Sequence, residues 1–532
     1  MISMEQTKLF ESLKQPSFYG PNIESVNLLQ THISFVALTG KYAYKIKKPV
    51  NFGFLDFSTL EKRKFFCDEE IRLNQRLCPE IYIEVLPITK KNNIIELNGK
   101  GPVVDYALKM KEFPQNRIMT YLLKKGEIKE ETIEQICTIM INFYNSQERS
   151  DEIDKFGKVE AVRKNIEENF EQTKSVVDIA ITKENYKFIQ DVSNVFFDKK
   201  KNVFQQRINQ GFIHDCHGDL HSGNIVVSDK IYIFDCIEFN KRFRFCDVAS
   251  DLSFLAMDLD YLNYPFLSSY LINNYVEKSN DKGIFKVLNF YKSYRAYVRG
   301  KVNGFRLNDP TIDQKEKRQI IETVKKYFDL SHYYASLFSL DLNTRKTLLI
   351  MVSGLTGTGK STLALKLAVD YHAQPINTDI VRKELEGIDK FERHHDKIDT
   401  GLYAPEKIDY TYEKVIEKAA KLLKKEENVV LDATFQKKKY RDMVKNVAKE
   451  NNAFLIPIHC TCPDNVVKKW LEERLKKKTV SDGRWEIYQN QKNTFEPYSS
   501  EENPFEIDMS INSYKYRINF FKKLVETIQE AT

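Results

Sequence analysis

Over the first part of the chain, short apolar or alternating runs at 26–29, 33–38 and 42–47 are split by polar turns, which predicts strands. The period then changes. Across 58–77, Leu60, Phe65, Phe66, Ile71 and Leu73 form a rough apolar face behind Ser58, a residue suited to capping, so a helix is expected. Runs at 81–88 and 94–97 flank Lys91-Asn92-Asn93 and read as a strand pair with its turn. From about 116 to 209 the pattern is helical. It returns to short strands over 212–239 and is helical again to about 332. The segment 331–345 reads as a linker. From Thr347 onward strand, glycine-rich turn and helix repeat, the pattern of a parallel α/β sheet. Two domains follow. An α+β domain spans 1–335, with a small strand-rich lobe at about 20–110 and a helical lobe at about 115–330. An α/β domain spans 346–532.

Composition adds limits. A chain of 532 residues exceeds what one core serves, in keeping with two domains. The charge of +7 is the small difference between 82 basic and 75 acidic residues, compatible with an anionic ligand but no signature of nucleic acid. Short basic runs occur at 199–201, 437–439 and 476–478; the first two read mainly as solvated faces. No apolar run approaches the ~18–20 residues of a membrane span, and the N-terminus lacks a secretory pattern. The eight cysteines are scattered, as reduced thiols in a cytosol would be, so a cytoplasmic protein without membrane association is expected. Cys216-His217 with His221, and His459-Cys460-Thr461-Cys462, contain metal-ligand residue types. The first overlaps a better-explained loop, and the second reads as a strand whose neighbours face opposite sides.

That loop is His217-Gly218-Asp219-Leu220-His221-Ser222-Gly223-Asn224. Transfer of a γ-phosphoryl group needs a carboxylate to orient and deprotonate the acceptor, ligands for Mg²⁺, and a lysine on the phosphates steadied by an acid. Asp219 and Asn224 stand five apart, a spacing suited to base and metal ligand. Asp235 follows the run 231–234, where a second metal ligand is needed. Lys45 lies in the predicted strand 42–47 and Glu70 on the following helix; Lys47 and Glu69 are the near alternatives, since strand and helix phase are open by one residue. The motif resembles the catalytic loop of the aminoglycoside and choline kinase family, which has the protein-kinase fold and acts mainly on small molecules. The resemblance covers roughly 20–330 and implies ATP and Mg²⁺. One departure stands out: no G-x-G-x-x-G separates the first two strands, where the turn is Gln30-Thr31-His32. The resemblance places a hinge at 107–113. A polycationic acceptor would meet Asp247, Asp251, Asp258 and Asp260, although Asp247 and Asp251 read rather as structural partners of Arg242 or Arg244.

The second motif is Gly354-Leu355-Thr356-Gly357-Thr358-Gly359-Lys360-Ser361-Thr362, set between a buried strand and a helix. Its glycines permit a nest of backbone N–H groups around phosphates; Lys360 would reach the β/γ-phosphates and Ser361 would ligate Mg²⁺. Downstream, Asp379-Ile380-Val381-Arg382 resembles the D-x-x-R of polynucleotide kinase and of small-molecule relatives such as gluconate kinase. By that resemblance Asp379 activates an acceptor hydroxyl and Arg382 positions the substrate; the alternative is a helix start capped by Asp379. Asp432, ending the run 429–432, is similar to a Walker-B residue acting on Mg²⁺. A basic helix at 470–478, with Arg474, followed by 479–484, resembles a kinase lid, with Lys477 or Lys478 where relatives often place a second arginine. The two halves in this order resemble a bacterial family of bifunctional aminoglycoside-phosphotransferase-like, P-loop ATP-binding (AAA-type ATPase) proteins. The expected activity is phosphoryl transfer from Mg-ATP, at two ATP sites, to a hydroxyl of a small molecule or a nucleic-acid end. The alternative is a nucleotide-sensing regulator or toxin-like kinase in which one site gates the other. The sequence leaves the acceptor and the oligomeric state open.

Overall fold

The structure is a computed structural model that describes residues 4–309, 312–343, 346–392, 400–476 and 480–531. The chain forms two compact units. One combines Met1–Glu167 with Lys201–Asp258; the other combines Glu168–Lys200 with Leu259–Thr532.

The first unit opens with a six-stranded sheet in the order Asn27–Gln30, Ser34–Leu38, Tyr42–Lys47, Val103–Lys111, Tyr82–Lys91, Ile94–Leu97. All its pairings are antiparallel. Its inner face is apolar, with Ala37, Tyr44, Ile46, Ile88 and Ala107 buried together. Asn92 and Asn93 make the expected turn with φ of 50° and 64°, a conformation that asparagine tolerates better than most residues. The helix that follows the third strand spans Leu60–Asn74. Its cap is Thr59, whose hydroxyl accepts from Lys62 N, and not Ser58, whose hydroxyl donates to Asp56 Oδ1 at 2.5 Å. The region expected as a hinge is mostly strand: Val103–Lys111 pairs through Ala107 with Ile46 and through Leu108 with Lys45, so only residues 112 and 113 of that region lie beyond the sheet. Farther on, Ile213–Asp215 pairs with Phe245–Asp247 and Ile225–Val227 with Ile231–Ile233.

The second unit contains a five-stranded, wholly parallel sheet in the order Gln374–Asn377, Val429–Asp432, Leu348–Ser353, Phe454–Thr461, Phe505–Asp508. Its central strand is buried at all six positions. The expected linker 331–345 is instead helix as far as the structure describes it: Gln314–Asn343 is continuous, and Tyr333, Tyr334, Leu337 and Phe338 are buried. Helical spacing of apolar side chains overrides the polar look of the segment. The helices before the parallel sheet belong to its unit. Asn289, on the helix Phe285–Gly304, donates to Asp370 O at 2.8 Å, and Tyr333 donates to Asp370 Oδ2 at 2.9 Å. All eight cysteines are free thiols. Among the described residues no helix is long and apolar enough to cross a membrane.

One half-buried histidine is expected to give the second unit a pH dependence. His332 packs on the Phe188 ring, with centroids 4.8 Å apart, and burial together with the charge of Lys522 lowers its pKa to about 4. The unfolded chain takes up that proton near pH 6.5 and the folded chain does not, so stability falls as pH drops from about 6.5 to 4. At roughly 1.4 kcal/mol per pH unit the loss amounts to about 3 kcal/mol. Denaturant unfolding of wild type and His332→Gln between pH 7.5 and 4 checks this: the stability difference should change by that order, in favour of the variant at low pH.

Candidate active sites

In the first unit five charged side chains form an alternating chain. Lys45 Nζ donates to Glu70 Oε1 at 2.8 Å and to Asp235 Oδ1 at 2.6 Å. Lys47 Nζ donates to Glu70 Oε2 at 2.6 Å and also to Glu238. Both lysines point the same way because they lie two apart on one strand, Tyr42–Lys47. Glu69 is elsewhere, on the helix surface with Arg72. The pairing left open by the sequence is therefore shared: Glu70 takes both lysines. Glu70 is fully buried, which opposes its ionisation, but Lys45 and Lys47 outweigh burial and hold its pKa down at about 2. Burial likewise works against the Lys45 charge, and Asp235, Glu70 and Glu238 overcome it, raising that pKa well above the usual lysine range. For Glu238 burial prevails and raises the pKa in spite of Lys47.

The loop 217–224 is fixed by its backbone. Asp251 accepts the N–H groups of His217 (3.0 Å) and Gly218 (2.8 Å) and the Tyr144 hydroxyl (3.1 Å). Asp258 accepts Ser222 N at 2.9 Å. His217 Nδ1 accepts Asp219 N at 3.2 Å, so its other nitrogen carries the proton and donates to Phe234 O at 2.9 Å. Burial lowers the His217 pKa and keeps the ring neutral. Asp219 remains one-third exposed; Asn224 Nδ2 donates to its Oδ2 at 3.1 Å, and His221 Nε2 lies 3.4 Å from the same oxygen. Asp235 has φ of 63° and its N–H donates to Tyr82 Oη at 3.2 Å. Asp219, Asn224, Asp235, Lys45 and Glu70 thus all belong to this one unit.

The four acidic residues considered for a polycation are all buried and engaged. Asp247 pairs with Arg207 (2.7 Å), not with Arg242 or Arg244; Arg244 pairs with Asp215. Among the described residues Asp251 pairs with no arginine but with the loop backbone described above, and Asp260 pairs with Lys292 at 2.6 Å in the second unit. The turn at 30–32 differs from a glycine-rich loop in kind. Thr31 Oγ1 accepts the N–H groups of Ile33 and Ser34, and Thr31 N donates to Ser34 O, so the turn uses these N–H groups on itself.

In the second unit a cleft of ≈ 350 Å³ is lined by Lys360, Ser361, Asp379, Arg382, Asp432 and Arg474, among others. The glycine loop positions the first of these. Gly354 has φ of 139°, and a Cβ there would stand 2.5 Å from Cys460 O, so only glycine fits. Thr356 N donates to Gln491 Oε1 at 2.8 Å, and Lys360 Nζ to Leu355 O at 2.7 Å. Asp432 accepts from Asn377 Nδ2 at 2.5 Å and is hydrogen-bonded to Ser361. Burial raises its pKa against the pull of Lys360. Burial also lowers the Lys360 pKa, against the pull of Asp432.

Asp379 lies in the first turn of the helix Thr378–Leu385, but it does not cap it; Asn377 does, with its Oδ1 accepting the N–H groups of Asp379 (2.8 Å) and Ile380 (3.1 Å). The Asp379 carboxylate instead pairs with Arg382 Nη1 at 2.5 Å. Burial opposes its ionisation, while Arg382, a Ser481 hydrogen bond and Lys360 lower its pKa. The helix expected over 470–478 instead spans Asp464–Arg474. Lys477 and Lys478 lie outside the described residues. Sequence reasoning missed Glu238, Gln491 and Tyr403, whose ring lies 4.8 Å from the Arg382 guanidinium; each is brought in by a separate loop or element and carries no spacing signal. Asn377, two residues before Asp379, and Ser481, inside the segment 479–484, were given no role of their own.

The AAA domain family matches residues 349–498. Over 443 residues the chain is 28% identical to an uncharacterized protein of Mycobacterium bovis, covering 83% of this chain and 85% of that one. It is equally similar to an uncharacterized protein of Mycobacterium tuberculosis. Among solved structures it is similar to a choline/ethanolamine kinase family protein from Mesorhizobium loti (11% identity, TM-score 0.36, 63% of this chain and 99% of that one). It is also similar to a gluconokinase from Sinorhizobium meliloti (18% identity, TM-score 0.26, 35% of this chain and 99% of that one).

Proposed function

We propose that this protein is an ATP-dependent phosphotransferase with two nucleotide sites, each acting on a hydroxyl acceptor. The observation that carries the reading is the cleft of the second unit, where an acceptor-side pair, Asp379 with Arg382, lines the same space as Lys360, Ser361 and Asp432. A bare ATPase has no need of that pair. Asp379 stays ionised and takes the proton of an acceptor hydroxyl; Arg382 holds the carboxylate in place. Lys360 and Arg474 bring cationic charge to the phosphate side. In the first unit Asp219 has the exposure to meet a hydroxyl, and Lys45, steadied by Glu70, serves the phosphates.

The oxygen donors suit Mg²⁺: Asn224 and Asp235 would hold it in the first unit, Ser361 and Asp432 in the second, with remaining positions left to phosphate and water. Bound there, the ion would neutralise phosphate charge. A second reading, in which the first unit binds nucleotide and regulates, draws support from the turn at 30–32, which keeps N–H groups of Ile33 and Ser34 on Thr31.

The test is incubation of the full chain with γ-labelled ATP and a metabolite extract, comparing wild type, Lys360→Ala and Asp235→Asn. Labelled products lost with one variant each support two transferring sites. Products lost with Lys360→Ala but retained by Asp235→Asn favour the regulator. Release of inorganic phosphate alone, with every acceptor unlabelled, overturns the proposal.

A further inference from the structure

Lys383 does not line the cleft, yet it is almost wholly buried beside it. It stands one residue beyond Arg382 on the helix Thr378–Leu385. Its ammonium donates to Glu392 O at 2.7 Å and to Val480 O at 2.8 Å, with Lys390 O at 3.4 Å. Asp482 Oδ2 lies 3.4 Å away, and that oxygen also accepts from the Tyr403 hydroxyl at 3.3 Å. A buried ammonium needs its three N–H groups satisfied, and here main-chain carbonyls from two segments, one just beyond the helix and one 97 residues on, do most of that work. One of those segments enters the cleft. Ser481 and Gly483 line it, Ser481 hydrogen-bonds Asp379, and Gly483 lies so near the phosphate loop that a Cβ would stand 1.9 Å from Thr356 Oγ1.

We infer that Lys383 is a positioning residue of this cleft, tying residues 390–392 and 480–482 to the helix that carries Asp379 and Arg382 and so keeping Ser481 on the Asp379 carboxylate. This deepens the phosphotransferase reading and rests on it for the role of Asp379. The geometry has a chemical consequence. A carboxylate that loses a hydrogen-bond donor titrates higher, so release of Ser481 would move the protonation of Asp379 upward.

The test uses the full chain with Lys383→Met, Lys383→Arg and Ser481→Ala. In Lys383→Met, deuterium exchange at 388–392 and 480–484 should rise about 10-fold or more, with the parallel sheet unchanged. Affinity for Mg-ATP should stay within about 3-fold, and turnover should fall roughly 10- to 100-fold through misplacement of the acceptor side. The acidic limb of the pH–rate profile should move to higher pH. Ser481→Ala should reproduce that shift without faster exchange at 388–392, and Lys383→Arg should restore both readouts in part. Unchanged exchange in Lys383→Met, or an unmoved acidic limb in Ser481→Ala, overturns the inference. Should Lys383→Met not fold, Ser481→Ala and Lys383→Arg still decide it. A wild type that transfers no phosphoryl group overturns the functional reading alone, and the exchange result then judges the Lys383 tie by itself.

Discussion

Asp379→Asn should lower phosphoryl transfer at the second unit's cleft by roughly 10²–10⁴-fold while leaving Mg-ATP affinity within a few-fold. Asparagine keeps the size of the side chain and one acceptor oxygen, but it cannot take a proton. The nucleotide-side groups, Lys360, Ser361 and Asp432, are untouched. The exchange has a structural cost as well: Arg382 is 8% exposed and would lose its carboxylate partner. Thermal unfolding must therefore accompany the kinetics, and retained nucleotide affinity is the control. Asp219→Asn should behave alike in the first unit, since Asp219 is also proposed for the acceptor side. Asp235→Asn should instead weaken Mg-ATP binding there, because it removes a proposed metal ligand and the carboxylate on Lys45. Calorimetric titration of the two variants separates the roles. Nucleotide binding abolished by Asp219→Asn and untouched by Asp235→Asn would refute the assignment.

Lys360→Ala should reduce turnover at the second site by on the order of 10²-fold or more, because charge stabilisation is the main contribution a protein makes to phosphoryl transfer. The effect should extend to the metal site. Burial already raises the Asp432 pKa, and Lys360 is the first influence opposing it. Removing that charge lets Asp432 hold its proton to higher pH, so Mg²⁺ affinity should weaken together with turnover. Measured at pH 6 and pH 8, the Lys360→Ala deficit in Mg²⁺ affinity should be larger at pH 6. An equal deficit at both pH values would separate Lys360 from the ionisation of Asp432.

These experiments call for the full chain. Division at 335/346, which the sequence pattern invites, would sever Tyr333 and Asn289 from Asp370, at the end of the helix Lys360–Asp370 that begins with the loop lysine. Asp370 is nearly buried, so its loss of partners would be felt in that helix.

Much of this protein was legible without coordinates wherever chemistry and local order coincide. Lys360 and Ser361 follow from a glycine loop between a strand and a helix, and the five-residue step from Asp219 to Asn224 is a property of one short loop. The strands 34–38, 42–47 and 429–432 declare themselves by apolar pattern, because burial on a sheet selects side chains at every second position or throughout. Tertiary structure alone decided partners distant in the chain. Whether Glu70 meets Lys45 or Lys47 depends on a helix rotated against a strand, and the answer, both, comes with Glu238, 168 residues beyond Glu70, as a second carboxylate on Lys47. Asp247 and Asp251 stand four apart and look alike in sequence, yet Asp247 ends a strand and neutralises Arg207 while Asp251, on the helix that follows, holds the loop backbone. The segment 331–343 looked like a linker because its polar residues are visible in sequence, whereas the neighbours that bury Tyr333, Tyr334 and Phe338 are not. Local order is encoded by near neighbours in the chain, but the pairing of buried charges is set by packing, where the cost of leaving any one of them alone selects the arrangement.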